Sequence, residues 1–183
     1  MLIAVLVIVA IIAVAVIGIY NGLVRLNVQA GNAWADIDVQ LKRRHDLIPN
    51  VVETVKGYAG HERQTLEAVI TARNRAVSVQ GSGPAERAQA EGALTGVLRG
   101  LFALAESYPQ LRAVESFTQL QGTLAQIEDA IQNARRYYNA VVRDLNTRIQ
   151  QFPSNLVAGL FAFKPREFFE IPDTDKAVPQ VKF

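Results

Sequence analysis

The chain has 183 residues, 50% hydrophobic and 20% charged, with 19 Lys and Arg against 17 Asp and Glu for a formal net charge of +2. So nearly balanced a charge argues against the broad basic field that a nucleic-acid backbone requires. The chain has no cysteine, which excludes disulfides, thiolate metal sites and cysteine nucleophiles.

From Leu2 to Ile19 every residue is Leu, Ile, Val, Ala or Gly, and the first charged side chain is Arg25. Twenty such residues as a helix span roughly 30 Å, the thickness of a bilayer's hydrocarbon core. Tyr20 and Asn21 follow, an aromatic and an amide where a membrane interface should begin. A core helix of a globular domain would carry a polar stripe, and this segment has none. Ala13-Val14-Ala15 has the small-x-small form of a signal-peptide cleavage site, but it lies inside the apolar run and no Lys or Arg precedes that run. The expectation is an uncleaved single-pass anchor over residues 1–20. Arg25 is the only basic residue near it, which predicts the N-terminus outside and the remainder cytoplasmic.

Leu23, Ala30, Ile37 and Arg44 form one seven-residue series, and Asn27, Trp34, Leu41 and Ile48 form another. Both predict a helix over 23–48 in which Trp34, the only tryptophan, fills a core. No Pro precedes Pro49, so anchor and helix can run on as one; Pro49 then kinks or restarts the helix, with Asp46 as the candidate cap. Periodicity resumes through Val52, Val55, Ala59, Leu66, Val69 and Ala76. Gly81-Ser82-Gly83-Pro84 breaks it, and Pro84 with Glu86 suits a helix start. That helix runs to about Glu106, and Ser107-Tyr108-Pro109 closes it.

The strongest pattern is the last. Phe117, Leu124, Ile131, Tyr138, Leu145 and Phe152 recur every seven residues, with Leu120, Ile127, Ala134 and Val141 interleaved. This predicts a long helix in coiled-coil-like contact, with Asp144 and Arg148 as an i,i+4 pair on its flank. Phe152-Pro153 stops it, Ser154 is placed to cap a short helix through Leu160, and Pro165, Pro172 and Pro179 make the tail extended. No alternating strand pattern occurs. The fold class is all-α: an N-terminal transmembrane helix, then an antiparallel bundle of three to four long helices. The expected divisions are anchor 1–20, bundle 21–162 and extended tail 163–183.

Several motifs resemble the LemA family. They are Tyr20-Asn21-x-Leu23-Val24, Ala33-Trp34-x-x-Ile37-Asp38-Val39-Gln40-Leu41-Lys42-Arg43-Arg44, and Asp46-Leu47-Ile48-Pro49-Asn50-x-Val52-Glu53. Val55-Lys56-Gly57-Tyr58, His61-Glu62, Tyr108-Pro109-x-Leu111, Phe117-x-x-Leu120-Gln121, Ala134-Arg135-x-x-Tyr138-Asn139, Phe152-Pro153 and Val181-x-Phe183 agree as well. The resemblance covers essentially the whole chain. It implies a bacterial envelope protein with one N-terminal span and a helical bundle, and it implies no reaction. Through relatives it also implies association with an HtpX-type membrane metalloprotease, and in one branch a part in magnetosome membrane formation.

Reactive chemistry is hard to find. His61-Glu62 opens like a zincin signature, but Thr65 stands where the second histidine belongs. His45 is sixteen residues away, so both histidines read as solvated or capping. Asp36 and Asp38 point in different directions on a helix and form no acid/base pair. Lys42-Arg43-Arg44-His45 is the one basic run. Asp36, Asp38 and Asp46 dilute its field, Asp38 and Lys42 are spaced as an i,i+4 pair, and on a straight helix it lies roughly 30 Å beyond the anchor against a Debye length of about 8 Å. Contacts within the bundle or between protomers, or a plain solvated face, are the open readings. Gly92, Gly96 and Gly100 share one helix face; packing within the bundle is the default explanation and self-association the sharper one.

The expectation is therefore a non-enzymatic membrane scaffold that assembles with itself, with no catalytic, cofactor or metal residues. Its expected partners are the lipid bilayer, further copies of the chain and other membrane proteins such as an HtpX-type protease, and not nucleic acid. An adaptor for such a protease is the alternative. A hydrolase built on Glu53, Glu62 and Glu67 is a further one, without the Glu-x-x-His repeats that bundle metal sites use. Five of the eight phenylalanines (Phe161, Phe163, Phe168, Phe169 and Phe183) lie near or in the tail, which predicts that it docks rather than floats. Val181-Lys182-Phe183 also has the form that carboxylate-binding PDZ-type pockets accept.

Overall fold

The structure is a computed structural model and describes residues 1–170. Among these it contains six helices and no strand: α1 (Leu2–Lys56), α2 (Arg63–Ser78), α3 (Pro84–Glu106), α4 (Pro109–Arg112), α5 (Glu115–Gln150) and α6 (Ser154–Leu160). Four are long, as the periodicities predict. The chain divides into two compact units. The first holds Met1–Asp38 and Asn133–Phe168; the second holds Val39–Gln132 and, among described residues, Phe169 and Glu170. α1 and α5 each supply a segment to both.

In the first unit α1 and α5 run antiparallel, since Gln29 bonds the Tyr137 hydroxyl at 2.8 Å while Gly22 lies beside Arg148. Leu23, Ala30, Ala33 and Ile37 of α1, and Tyr138, Val141, Val142 and Leu145 of α5, are buried. Trp34 is half-buried against Tyr138, with ring centroids 5.1 Å apart. The seam expected to end at Phe152 ends at Leu145 instead. Phe152 follows the last turn of α5 and is 75% exposed.

In the second unit the core runs from Ile48, Val51, Val52 and Val55 of α1 through Leu66 and Val69 of α2. It continues to Leu94, Leu98 and Leu101 of α3, Leu111 of α4, and Phe117 and Leu124 of α5. α2 and α3 form an antiparallel pair, with Arg75 bonded to Glu86 near one end and Glu62 to Tyr108 beyond the other. Pro84 takes the first position of α3 after an extended Gly83, with Glu86 in the first turn. Such a position costs the helix no bond, because the first N–H groups have no partner within it.

Three local expectations are corrected. Periodicity carries from Val52 to Ala76, but α1 ends at Lys56 and α2 begins at Arg63. Ala59 still packs in the core, so the apolar rhythm passes through a turn. Gly60 allows that turn: a β-carbon there would stand 3.1 Å from the Lys56 carbonyl oxygen. Second, α1 passes through Pro49 without restarting, so Asp46 caps nothing; its carboxylate pairs with Lys42 at 2.7 Å. Third, Ser154 does not cap α6. It is the first residue of that helix, and its single hydroxyl proton is shared between the carbonyls of Arg148 (2.7 Å) and Gln151 (2.8 Å), serving the unpaired end of α5.

Candidate functional site

Arg44 lies seven residues after Ile37 in a series of core positions, so the fold carries a cation into the interior of the second unit. Arg44 is fully buried, as are His45 and, on α3, Glu91. Glu91 is in the same predicament, because Arg87, Glu91, Leu94, Leu98, Leu101 and Ala105 are all buried at alternating spacings of four and three. A buried charge is tolerated only when paired and hydrogen-bonded. Here Arg44 Nη2 donates to Glu91 Oε2, while Nη1 donates to Glu128 Oε2 of α5 at 2.8 Å and to Thr95 Oγ1 at 3.1 Å. Thr95 Oγ1 in turn donates to the Glu91 carbonyl at 3.0 Å. The second Glu91 oxygen accepts from His45 Nε2 at 3.0 Å, which requires that nitrogen to carry the proton.

Opposing influences set the state of Glu91. Burial, the largest, pushes its pKa up; the hydrogen bond from His45 and the charges of Arg44 and His45 together outweigh it, and the net value is lowered. Glu91 is therefore an anion at neutral pH. Each of its oxygens is engaged in the interior, one by Arg44 and the other by His45.

The same stretch of α1 explains Arg73. Proline has no N–H, so Pro49 leaves the carbonyl four residues back, that of His45, without its helical partner. Arg73 Nε of α2 donates to that carbonyl at 3.2 Å. One hydrogen bond thus joins α2 to the gap that proline makes in α1.

The basic run divides by helical direction. Arg44 and His45 turn inward, whereas Lys42 and Arg43 are exposed. This selects contacts within the bundle for its second half and corrects the reading of His45 as solvated or capping. His61 is exposed, as expected. Glu53, Glu62 and Glu67 are not among any group of carboxylates and histidines able to hold a metal in the described residues: Glu53 is exposed with Lys56 at 3.5 Å, Glu62 accepts from the Tyr108 hydroxyl at 3.1 Å, and Glu67 is exposed. That hydrogen bond is the main influence raising the Tyr108 pKa. The expected Asp144–Arg148 pair is not among the ion pairs formed by the described residues; the Arg148 guanidinium lies over Gly22 instead, 3.9 Å from where a β-carbon would stand. Gly96 and Gly100 are exposed with open space around them, so packing within the bundle does not explain them.

The first unit has its own cluster, at the end of the apolar segment. Tyr20 meets Phe161 at 4.7 Å and Phe163 at 5.8 Å between ring centroids. The chain reaches this geometry through a Schellman turn after α6. Phe163 N–H donates to the Ala158 carbonyl (2.9 Å) and Ala162 N–H to that of Gly159 (3.3 Å), with Ala162 held at φ 56°. Arg166 then ties the following segment down. Its guanidinium donates to Asn27 Oδ1 at 3.0 Å, and its backbone exchanges two 2.9 Å bonds with the Asn146 side chain. These contacts, with the fully buried Phe169, accord with the expected docking of the tail's first part; Pro172, Pro179 and Val181-Lys182-Phe183 lie outside the described residues.

The class these features define is a membrane-associated all-helical protein. One helix is long and apolar enough to cross a membrane, its apolar stretch is unburied, and its buried charge, Arg44, is paired within the chain. The chain belongs to the LemA family, whose model matches residues 33–183, as the Trp34-to-Pro49 motifs indicate. Relatives include Magnetosome protein MamQ 2 of Paramagnetospirillum magneticum, 26% identical over 99% of this chain and 76% of that protein. MamQ of Magnetospirillum gryphiswaldense is 25% identical over 88% of this chain and 70% of that protein. Protein LemA of Metamycoplasma hominis is 28% identical over 78% of this chain and 64% of that protein. None of these names specifies a reaction.

Proposed function

We propose that the protein is a non-enzymatic membrane-anchored helical scaffold that self-assembles at the bacterial inner membrane. The observation that carries this reading is α1 itself. Its first part is an exposed apolar segment of spanning length, and its later part supplies Leu41, Ile48, Val51, Val52 and Val55 to the buried core. Anchor and framework are one element. Arg44, His45 and Glu91, which could otherwise offer acid/base chemistry, are engaged with one another, and this supports a structural role for them.

Self-assembly is supported by the exposed Gly96 and Gly100 on α3, each of which costs about 1 kcal/mol relative to alanine in a helix interior. Anchoring every copy in one plane raises the effective concentration for contact. The test is the mass of the full chain in detergent, beside Gly96→Leu, a site with room for the side chain. Loss of large particles with helicity retained supports assembly through this face; a parent that is monomeric at micromolar concentration refutes it. The relatives named as magnetosome proteins accord with a role at a membrane. Recruitment of other membrane proteins, such as a metalloprotease, is the second part of the proposal. Co-isolation by cross-linking in native membranes tests it.

The bundle is proposed to be cytoplasmic. Arg25 is joined by Arg148, which lies over Gly22 just past the apolar segment, as a basic group at that end. A single Cys at Ser82 in this cysteine-free chain, probed with an impermeant maleimide on intact cells, reverses the orientation if it labels without lysis.

A further inference from the structure

We propose that α6 and its flanks form a second membrane-contacting element, lying in the interface of the leaflet into which α1 enters. The proposal rests on the reading of α1 as a membrane span and adds a lipid-binding surface to it. Four large apolar side chains are exposed within ten residues: Phe152 (75%), Leu156 (64%), Leu160 (76%) and Phe161 (49%). Phe152, Leu156 and Leu160 are spaced by four. Val157 and Ala158 on the other side of α6 are buried, so the element has an inner face and an unpartnered outer one. Beyond Tyr20, the remaining exposed large apolar residues among those described are scattered singly. Isolated apolar residues are ordinary on a surface; a local group marks a contact site.

The occupant follows from where the chain places this group. Phe161 packs on Tyr20, the residue at which the apolar run of α1 gives way to polar sequence. Val16 and Ile19 are half-covered while Val14, Ile17 and Gly18 are exposed; Val16 and Leu23 are seven apart and share one helix face. Val16 lies four residues inside Tyr20, about 6 Å deeper along a helix. Elements that lie in the interface bury their apolar faces about 5–10 Å deep. Phe161, which directly follows α6, therefore packs at the level where α1 enters lipid, and Leu160 and Leu156 precede it by one and five residues. The charge pattern agrees. Residues 147–166 contain no Asp or Glu, and with Arg166 tied to Asn27 the exposed Arg148 and Lys164 are the cations that flank the apolar stripe, as cations do in elements that settle on anionic headgroups. Ala162, in a left-handed conformation that L-residues avoid, turns Phe163 back to Tyr20 and so holds the element at this level.

The absence of cysteine permits a direct test with the full chain in vesicles of phosphatidylcholine and phosphatidylglycerol. A polarity-sensitive fluorophore is attached to a single Cys at Leu156, Leu160, Val9 or Ser82, in the presence of lipids spin-labelled near the headgroup or deep in the acyl chain. The expected result is emission at Leu156 and Leu160 several-fold above that at Ser82, quenched more by the shallow label, with Val9 quenched more by the deep one. If Leu160 behaves like Ser82 while Val9 is deep, the interfacial element is wrong and the anchor reading stands. If Val9 also behaves like Ser82, the anchor reading fails and this proposal fails with it. A signal at Leu160 that vanishes as protein is diluted in lipid shows that a second copy covers α6, and overturns the assignment to lipid.

Discussion

Replacing Arg44 by Met tests whether the buried ion network holds the bundle as the geometry requires. The substitution removes a fully buried guanidinium that serves Glu91, Glu128 and Thr95, and leaves Glu91 with His45 as its remaining side-chain partner. Breaking a buried pair by removing one member costs about 3–5 kcal/mol, because the survivor is left charged in a poor solvent. At about 2–4 °C per kcal/mol for a chain of this size, the melting temperature should fall by about 6–20 °C. Removing both charges together, in Arg44→Met with Glu91→Leu, leaves the part-exposed Glu128, which can turn to water, and the buried His45, whose ring N–H loses its acceptor at a neutral hydrogen bond's cost. The double variant should therefore be more stable than the sum of the single losses by about 2–3 kcal/mol. The assay is thermal and urea unfolding of the full chain in detergent, followed by far-ultraviolet circular dichroism. An Arg44→Met loss below about 1 kcal/mol, or strictly additive losses, would refute the reasoning. Acid offers a second readout. The Glu91 pKa is lower in the folded chain than in the unfolded one, so between the two values the unfolded chain binds the extra proton and stability rises with pH. The contribution is complete above the ordinary glutamate value of 4.5 and is lost as pH falls through the lowered folded value. Glu91→Gln should flatten that acid limb.

Two further outcomes follow from backbone groups. Arg73→Ala should destabilise by about 1–2 kcal/mol by stranding the His45 carbonyl, and Pro49→Ala, which restores the N–H, should remove most of that cost; equal costs with and without Pro49, in parallel urea titrations, would show that Arg73 acts elsewhere. Ala162→Gly should raise stability by about 1 kcal/mol by relieving a left-handed alanine, and a melting temperature that falls would contradict the Schellman geometry.

Long-range order was easiest to read where one physical signal acted alone. The apolar run from Leu2 cannot be a core helix once a polar stripe is absent, and the seven-residue repeats of α5 mark a buried seam because its flanks are polar. The turn between α1 and α2 was hidden because Val55, Ala59 and Leu66 keep core spacing through it. Apolar spacing reports burial, which a turn can preserve, and the glycine pair Gly57 and Gly60 was the better sign. Ser154 misled for a related reason. A hydroxyl beside a helix start can accept from that helix or donate to the end of the one before, and the sequence does not say which end is unpaired.

The ionic site was half legible. Arg44 falls in register with Leu23, Ala30 and Ile37, so a cation at a core position was visible and called for an anion in the interior. Nothing in its own helix could supply one at the right height, because Asp38 and Asp46 sit on other faces. The partner had to come from a different helix, and Glu91 shows the matching sign: an acid in register with Leu94 and Leu98. Reading the two irregularities as a pair, in place of leaving bundle contacts and a solvated face both open for the basic run, would have located the network. The same reasoning separates Lys42 and Arg43 from Arg44, since neighbours on a helix are turned by about 100° and a run of like charges cannot all face one way.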